Sequence, residues 1–343
     1  MGSLEVGAKN AVETCMNITA EDRVVIVADN MSKSIGFSIR EAALKHTHQV
    51  RFFNLDLPSY GGRPLHALPE PIRDALENAT ATFFVAHPFE GELKTVREPF
   101  IALALRHARH AHMVGVTRQI MEEGMNADYR KVAALTNRVY GIVKNASTIA
   151  VKSPAGTDLK ITLDKNMEWI PCTGIIRTQG EWDNLPSGEV FTAPKGATGT
   201  MVVDGCVGEW IGRKYAKIVN YRTTPITIVF DPKNNGLVKS IKCDQVDLLR
   251  DLKAYINSEP NASRLGEIGL GTNIFLKELM GNMLQDEKFP GVHLALGDPY
   301  HEKTKANWSS NCHIDFVMRK CSVWVDGKQI MEDGRYLKEL LQG

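Results

Sequence analysis

Arg23-Val24-Val25-Ile26-Val27-Ala28-Asp29 is an uninterrupted apolar run closed by a charged residue at each end. A short run without alternation fits a parallel strand covered on both faces. Working outward, Ser32 stands where a helix cap belongs, and Ile35 to Leu44 carries helical spacing of apolar residues. Val50 to Leu55 reads as a second strand and Leu68 to Leu76 as a second helix. Thr82 to Ala86 is a third strand, ending at His87-Pro88. Glu98 to His110 is a helix with Pro99 tolerated in its first turn, and His112 to Val116 a fourth strand. A helix over 127–143 leads out of this region. Strands alternating with helices predict a doubly wound α/β domain over residues 1–145. No Gly-rich phosphate loop follows the first strand, so no nucleotide site is expected there.

From Ser147 the texture changes to short strands punctuated by Gly, Pro and Asn. Thr148 to Val151 and Asp158 to Leu163 flank a turn, and further strand signals lie at 200–203, 217–221 and 226–230. Val246 to Ile256 is strongly amphipathic and Asn273 to Leu284 also reads as helical, with a last helix at Tyr336 to Leu341. Residues 146–343 are thus expected to form a second, β-rich α+β domain.

Composition narrows the function. The 343 residues hold 43% hydrophobic and 24% charged residues, the profile of an ordinary globular protein. The net charge is +1 with scattered basic residues, which argues against nucleic acid or an anionic membrane as partner. No apolar run approaches the ~20 residues of a membrane span. Met1-Gly2-Ser3-Leu4-Glu5-Val6 lacks a signal-peptide core and the Ser or Thr favoured for myristoylation. Six dispersed cysteines without a CxxC pair fit reduced thiols and a cytoplasmic location.

In Asn311-Cys312-His313-Ile314-Asp315-Phe316-Val317 the apolar and polar residues alternate. On a strand, His313 and Asp315 project to one face while Ile314 and Phe316 pack on the other. Glu189, Glu267 and His293 also sit among glycines and aliphatic residues, where an unpaired charge is costly. On the residues alone two readings stay open. Each polar group is satisfied separately, or two Glu, two His and one Asp form the ligand set of a two-metal hydrolytic site.

The motifs Gly156-Thr157-Asp158-Leu159, Pro186-Ser187-Gly188-Glu189-Val190, Gly266-Glu267-Ile268-Gly269-Leu270-Gly271-Thr272-Asn273, His293-Leu294-Ala295-Leu296-Gly297 and His313-Ile314-Asp315-Phe316 resemble those of the thermophilic aminopeptidases. These are the metallo-exopeptidases of the aminopeptidase T and aminopeptidase S type. The motifs run in family order over about the last 190 residues. The resemblance implies that Glu189, Glu267, His293, His313 and Asp315 hold two divalent ions, zinc, cobalt or manganese. It implies Glu267 as proton acceptor, Tyr300 as hydrogen-bond donor to the oxyanion, and a place near Glu287 for one more acidic ligand. It also implies a small peptide or amide substrate, release of amino-terminal residues, and a homodimer. The chain departs from the family in its shorter amino-terminal domain, which leaves substrate size open.

Cys312-His313-Ile314-Asp315, Arg319-Lys320-Cys321 and Val325-Asp326-Gly327-Lys328 are also similar to a second family of this architecture, the 2,5-dihydroxypyridine dioxygenases. That resemblance implies one Fe(II), ring cleavage of a hydroxylated pyridine, and His87 at the place of a catalytic base. Such an iron site wants His where this chain has Glu267, and it leaves Glu189 and His293 without a purpose. The hydrolase expectation therefore stands first and the dioxygenase second.

Overall fold

A computed structural model describes residues 3–231, 233 and 236–342. The start at Met1-Gly2 lies outside them. The chain folds as a mixed α/β protein of two compact units, one formed by 1–133 and 173–187, the other by 134–172 and 188–343. No helix among the described residues is long and apolar enough to cross a membrane.

The first unit is built on a five-stranded parallel sheet in the spatial order Val50–Asn54, Val24–Ala28, Ala81–Phe84, Arg109–His112, Trp182–Asn184. Val24–Ala28 is buried along its whole length, as its unbroken apolar run requires. The order reverses between this strand and Ala81–Phe84, and ligands of α/β sheets tend to bind beyond the carboxyl ends of strands at such a point. The fourth strand lies earlier than the sequence pattern indicated: the helix stops at His107 and the strand is Arg109–His112, not 112–116. Two histidines enter the sheet because they satisfy each other. Thr82 Oγ1 lies 2.8 Å from His110 Nδ1, and His110 Nε2 lies 3.0 Å from His112 Nδ1.

The second unit contains two antiparallel sheets of eight and six strands. Ile149, Val151, Leu159, Ile161, Met201 and Ile228 from the larger sheet share one apolar core with Val190, Ile268, Leu270, Leu294, Ile314 and Phe316 from the smaller. The amphipathic helix Val246–Ile256 adds Leu248, Leu252 and Ile256 to that core, one turn apart on a single stripe. Two expected elements do not form. Residues 217–221 are turns, with Val219 and Tyr221 nevertheless buried in the core. Over 273–284 helix begins only at Met283–Asp286, because the Asp286 carboxylate accepts the backbone N–H groups of Met280 and Gly281 and fixes a loop instead.

Candidate metal centre

The six-stranded sheet sets the site by its register. Strands Leu265–Gly271, Gly291–Gly297 and His313–Met318 lie side by side, with Glu189–Thr192 on the far side of the first. Residues paired across a sheet share a face. Glu267 pairs with Ala295 and Ala295 with Asp315, so two carboxylates sit in one row with only a methyl group between them. In the next row Gly269 pairs with His293, and in the third Gly271 pairs with Glu189. The alternate residues Ile268, Leu270, Leu294, Ile314 and Phe316 point into the core and anchor the strands. A register shift between Leu265 and Glu267 places a bulge at Gly266, the kind of irregularity that re-aims a neighbouring side chain.

Small residues make room for the polar ones. A Cβ on Gly269 would come within 2.0 Å of His293 Nε2, so the imidazole lies directly over the glycine. His293 Nε2 is 3.2 Å from Glu267 Oε1 and 3.4 Å from Glu189 Oε2. His313 Nε2 is 3.4 Å from Asp315 Oδ2 and 3.9 Å from Glu267 Oε2. The other ring nitrogen of His313 hydrogen-bonds the Asp298 carbonyl at 3.0 Å, which makes Nδ1 the donor and turns Nε2 toward the carboxylates. All five residues the sequence singled out as ligands are therefore brought together. Among the described residues, Glu189, Glu267 and His293 each offer a ligand atom, and these atoms all lie within 4.8 Å of one another.

The cluster is buried: Glu189, Glu267 and Asp315 are 5% exposed and His293 1%. Burial raises the Glu267 carboxyl above its usual range, against the pull of His293 and His313. Burial alone would lower His293, but its contact with Glu267 and the charges of Glu189, Glu267 and Glu287 carry it up to about 9. His313 is raised in the same way, against burial, by Asp315 and Glu267. The carboxylates thus favour the charged form of both imidazoles. Even so, Glu189 Oε2 and Glu267 Oε2 have no hydrogen-bond partner. Buried carboxylate oxygens left unsatisfied are expensive. Oxygens of this kind beside two imidazoles are a suitable donor set for a divalent cation. The residues present fit a metal.

Tyr300 stands at the open side of the cluster, 39% exposed. Its ring centroid lies 4.8 Å from that of His313 and 5.8 Å from that of Phe191. It holds φ 50°, in the left-handed region that a bulky residue rarely occupies, a strain found most often at functional positions. Glu287 is also in the cluster, and burial pushes its carboxyl up to about 8 against the pull of Lys288.

Lys288 was not foreseen from the sequence. Its ammonium is 2.6 Å from Glu189 Oε1 and 2.5 Å from Glu287 Oε1, with the side chain fully buried. Asp286-Glu287-Lys288 looks like a solvated charge run. The available signal was its position, only three residues before Gly291–Gly297, a strand buried at every residue.

His87 belongs to the first unit, at the carboxyl end of the third strand. Its backbone N–H donates to Asp29 Oδ2 at 2.6 Å and its Nδ1 lies 3.3 Å from Asp29 Oδ1. Burial opposes ionisation of Asp29, but hydrogen bonds from His87 and Ser32 hold its carboxyl well below the usual range. Arg63 joins this group through Asp29 and Glu92. Asp29 and His87 follow the two strands between which the sheet order reverses.

The family described as NicX: 2,5-dihydroxypyridine 5,6-dioxygenase matches residues 118–338, more than half of the chain. Among solved structures the chain is similar to 2,5-dihydroxypyridine dioxygenase from Pseudomonas putida KT2440, with a TM-score of 0.70 and 20% identity, covering 97% of this chain and 96% of that one. It is similar also to wild-type AmpT from Thermus thermophilus, with a TM-score of 0.68 and 18% identity, covering 97% and 98%. No curated protein matches. At these identities the structural likenesses establish a common fold, the mixed α/β architecture described above.

Proposed function

The chain belongs to the NicX family, and from the make-up of its buried centre we propose that it is a metal-dependent amide hydrolase, releasing amino-terminal residues from small peptides or amides. Both named relatives are enzymes, and their fold serves a dioxygenase as well as AmpT, so the donor set has to choose between the chemistries. The carrying observation is the excess of carboxylates: Glu189, Glu267 and Asp315 converge with His293 and His313, and two of the carboxylate oxygens have no hydrogen-bond partner. A non-haem iron oxygenase centre uses two His and one carboxylate and keeps positions open for dioxygen and substrate. Five donors exceed that set, and a carboxylate-rich donor set suits the divalent ions of hydrolytic centres.

His293, His313, Asp315, Glu267 and Glu189 would hold the metal. A divalent ion so held supplies Lewis acidity and an acidified water near neutral pH. Glu267, its carboxyl raised by burial, would take a proton from the attacking water and return it to the leaving amine. Tyr300 is placed to donate a hydrogen bond to the oxygen that gains charge as the carbonyl carbon becomes tetrahedral. Asp298 holds the His313 ring in the tautomer the site needs.

The test is a panel of amino-acid amides and 2,5-dihydroxypyridine, presented to protein loaded with Zn2+, Mn2+, Co2+ or Fe2+, with amine release and dioxygen uptake both followed. Amide cleavage without oxygen consumption is expected. Oxygen-dependent ring opening with no amide cleavage would overturn the hydrolase reading. It would favour the second one, a ring-cleaving dioxygenase, for which the family description speaks.

A further inference from the structure

Arg264 immediately precedes strand Leu265–Gly271, and the hydrolysis described above gives it no role. Its carbonyl accepts the backbone N–H of Gly297 at 2.8 Å, and Gly297 is the sheet partner of His313. Leu265 and Leu296, which follow and precede these residues, turn into the core. Arg264, Gly297 and His313 therefore form the next row beyond Glu267–Ala295–Asp315, on the face that carries the metal ligands. The guanidinium carbon lies 3.4 Å from the centroid of the Trp308 ring. Trp308 packs with Ala193, which follows Thr192, the partner of Ile268, and so stands beside Glu267.

This stacked pair consists of donors that lack an acceptor. Arg264 Nε and Trp308 Nε1 are both buried, and neither has a hydrogen-bond partner among the described residues. Arg63 and Arg109 each hold a carboxylate. Burial pulls the Arg264 guanidinium below its ordinary value, and no neighbouring carboxylate raises it again. A guanidinium stays charged all the same. A planar cation on an indole face, with a second donor in that indole, suits a planar anion. We propose that Arg264, backed by Trp308, receives the carboxyl-terminal carboxylate of the substrate, so that the centre prefers dipeptides with a free carboxyl group to their amides. Successive rows on one face of a sheet lie about 7 Å apart. Two extended peptide residues span about the same length. The metal ligands and Arg264 thus match the two ends of one dipeptide. The inference rests on the hydrolase reading and narrows its substrate class.

The test compares Leu-Gly with Leu-Gly amide. Cleavage of each is followed with the full Zn2+-loaded chain, and binding of each is measured by calorimetry on the same chain after chelation, where no turnover interferes. Leu-Gly is expected to exceed its amide by about 10–100-fold in kcat/KM and to bind more tightly, the usual range for a hydrogen bond to a charged group. Arg264→Met is expected to bring the two peptides to the same value in both measurements. Arg264→Lys, which keeps the charge without the planar fork, is expected to retain part of the preference. Equal kcat/KM for the two peptides in the wild type would overturn the proposal, as would an unchanged ratio in Arg264→Met, the result of a merely structural arginine. Binding that favours Leu-Gly, with neither peptide cleaved, would reject the hydrolase reading and keep the carboxylate site. Equal binding with no cleavage would overturn both. The wild-type comparison stands even if a variant does not fold.

Discussion

Gly269 lacks the one atom that would push the His293 ring out of place. The glycine is required by a close approach rather than by its backbone angles, since a Cβ there would lie 2.0 Å from Nε2. Gly269→Ala should leave the sheet paired and weaken metal affinity by about 10–100-fold, the usual effect of disturbing a group that orients a ligand. Competition against a chromogenic chelator measures this, and wild-type affinity would show that the ring tolerates the methyl group. Glu267→Gln removes the proposed proton acceptor at nearly constant volume. It should lower kcat by about 10²–10⁴-fold in a chain that still folds, and near-normal turnover would reject the assignment. Away from the centre, burial pushes His110 down to about 3. The unfolded histidine takes its proton near pH 6.5, so unfolding is favoured as the pH falls below that value. This contribution is complete above pH 6.5 and declines by about 1.4 kcal/mol per pH unit toward pH 3. Urea titrations of the wild type and His110→Gln across that window should give a flatter dependence in the variant. Identical slopes would place the sensitivity elsewhere.

At the level of elements, periodicity was a reliable guide where one face was apolar and unreliable where polar groups satisfied one another. Helix Val246–Ile256 was legible because Leu248, Leu252 and Ile256 recur with the helical turn and all three are buried. Leu252→Ala should cost about 2–5 kcal/mol of stability by opening a cavity, without altering the number of metal ions bound. Denaturant unfolding paired with metal analysis checks both halves of that statement. The sequence pattern points to 112–116 rather than Arg109–His112 because the polar residues of the true strand resemble a surface, and only the Thr82–His110–His112 contacts show how they are accommodated. The segment 273–284 carries helix-forming residues, yet Asp286 ties its backbone into a loop.

For the whole molecule, a bound ion acts on folding by mass action. A chain that binds metal only when folded gains stability as RT ln(1 + [L]/Kd), about 2.7 kcal/mol at a hundredfold excess over Kd. Added Zn2+ should therefore raise the unfolding temperature in a concentration-dependent way, and a chelator should reverse the shift. The same midpoint with metal and with chelator would mean that the cluster holds no ion. Two compact units make a single two-state transition an assumption to test, so the shift should be followed with two probes of unfolding.

The sequence by itself determined the α/β class, since strand and helix periods alternate in its first part and short strands fill the second. It also offered the five ligand candidates, because a charge set among glycines and aliphatic residues announces a partner even when the partner is unknown. Tertiary structure alone decided how those residues meet. The bulge at Gly266, the row Glu267–Ala295–Asp315 and the imidazole lying over Gly269 depend on cross-strand register, which local periodicity does not encode. The Lys288–Glu189 ion pair joins residues 99 positions apart, and no local pattern distinguishes that buried lysine from one in water. Nor does the sequence mark residues 173–187 as returning to the first unit, where Trp182–Asn184 adds the fifth parallel strand. Side-chain period is a property of neighbouring residues. The pairing of distant charges is set by which strands pack side by side and by the cost of leaving any of those charges buried without a partner.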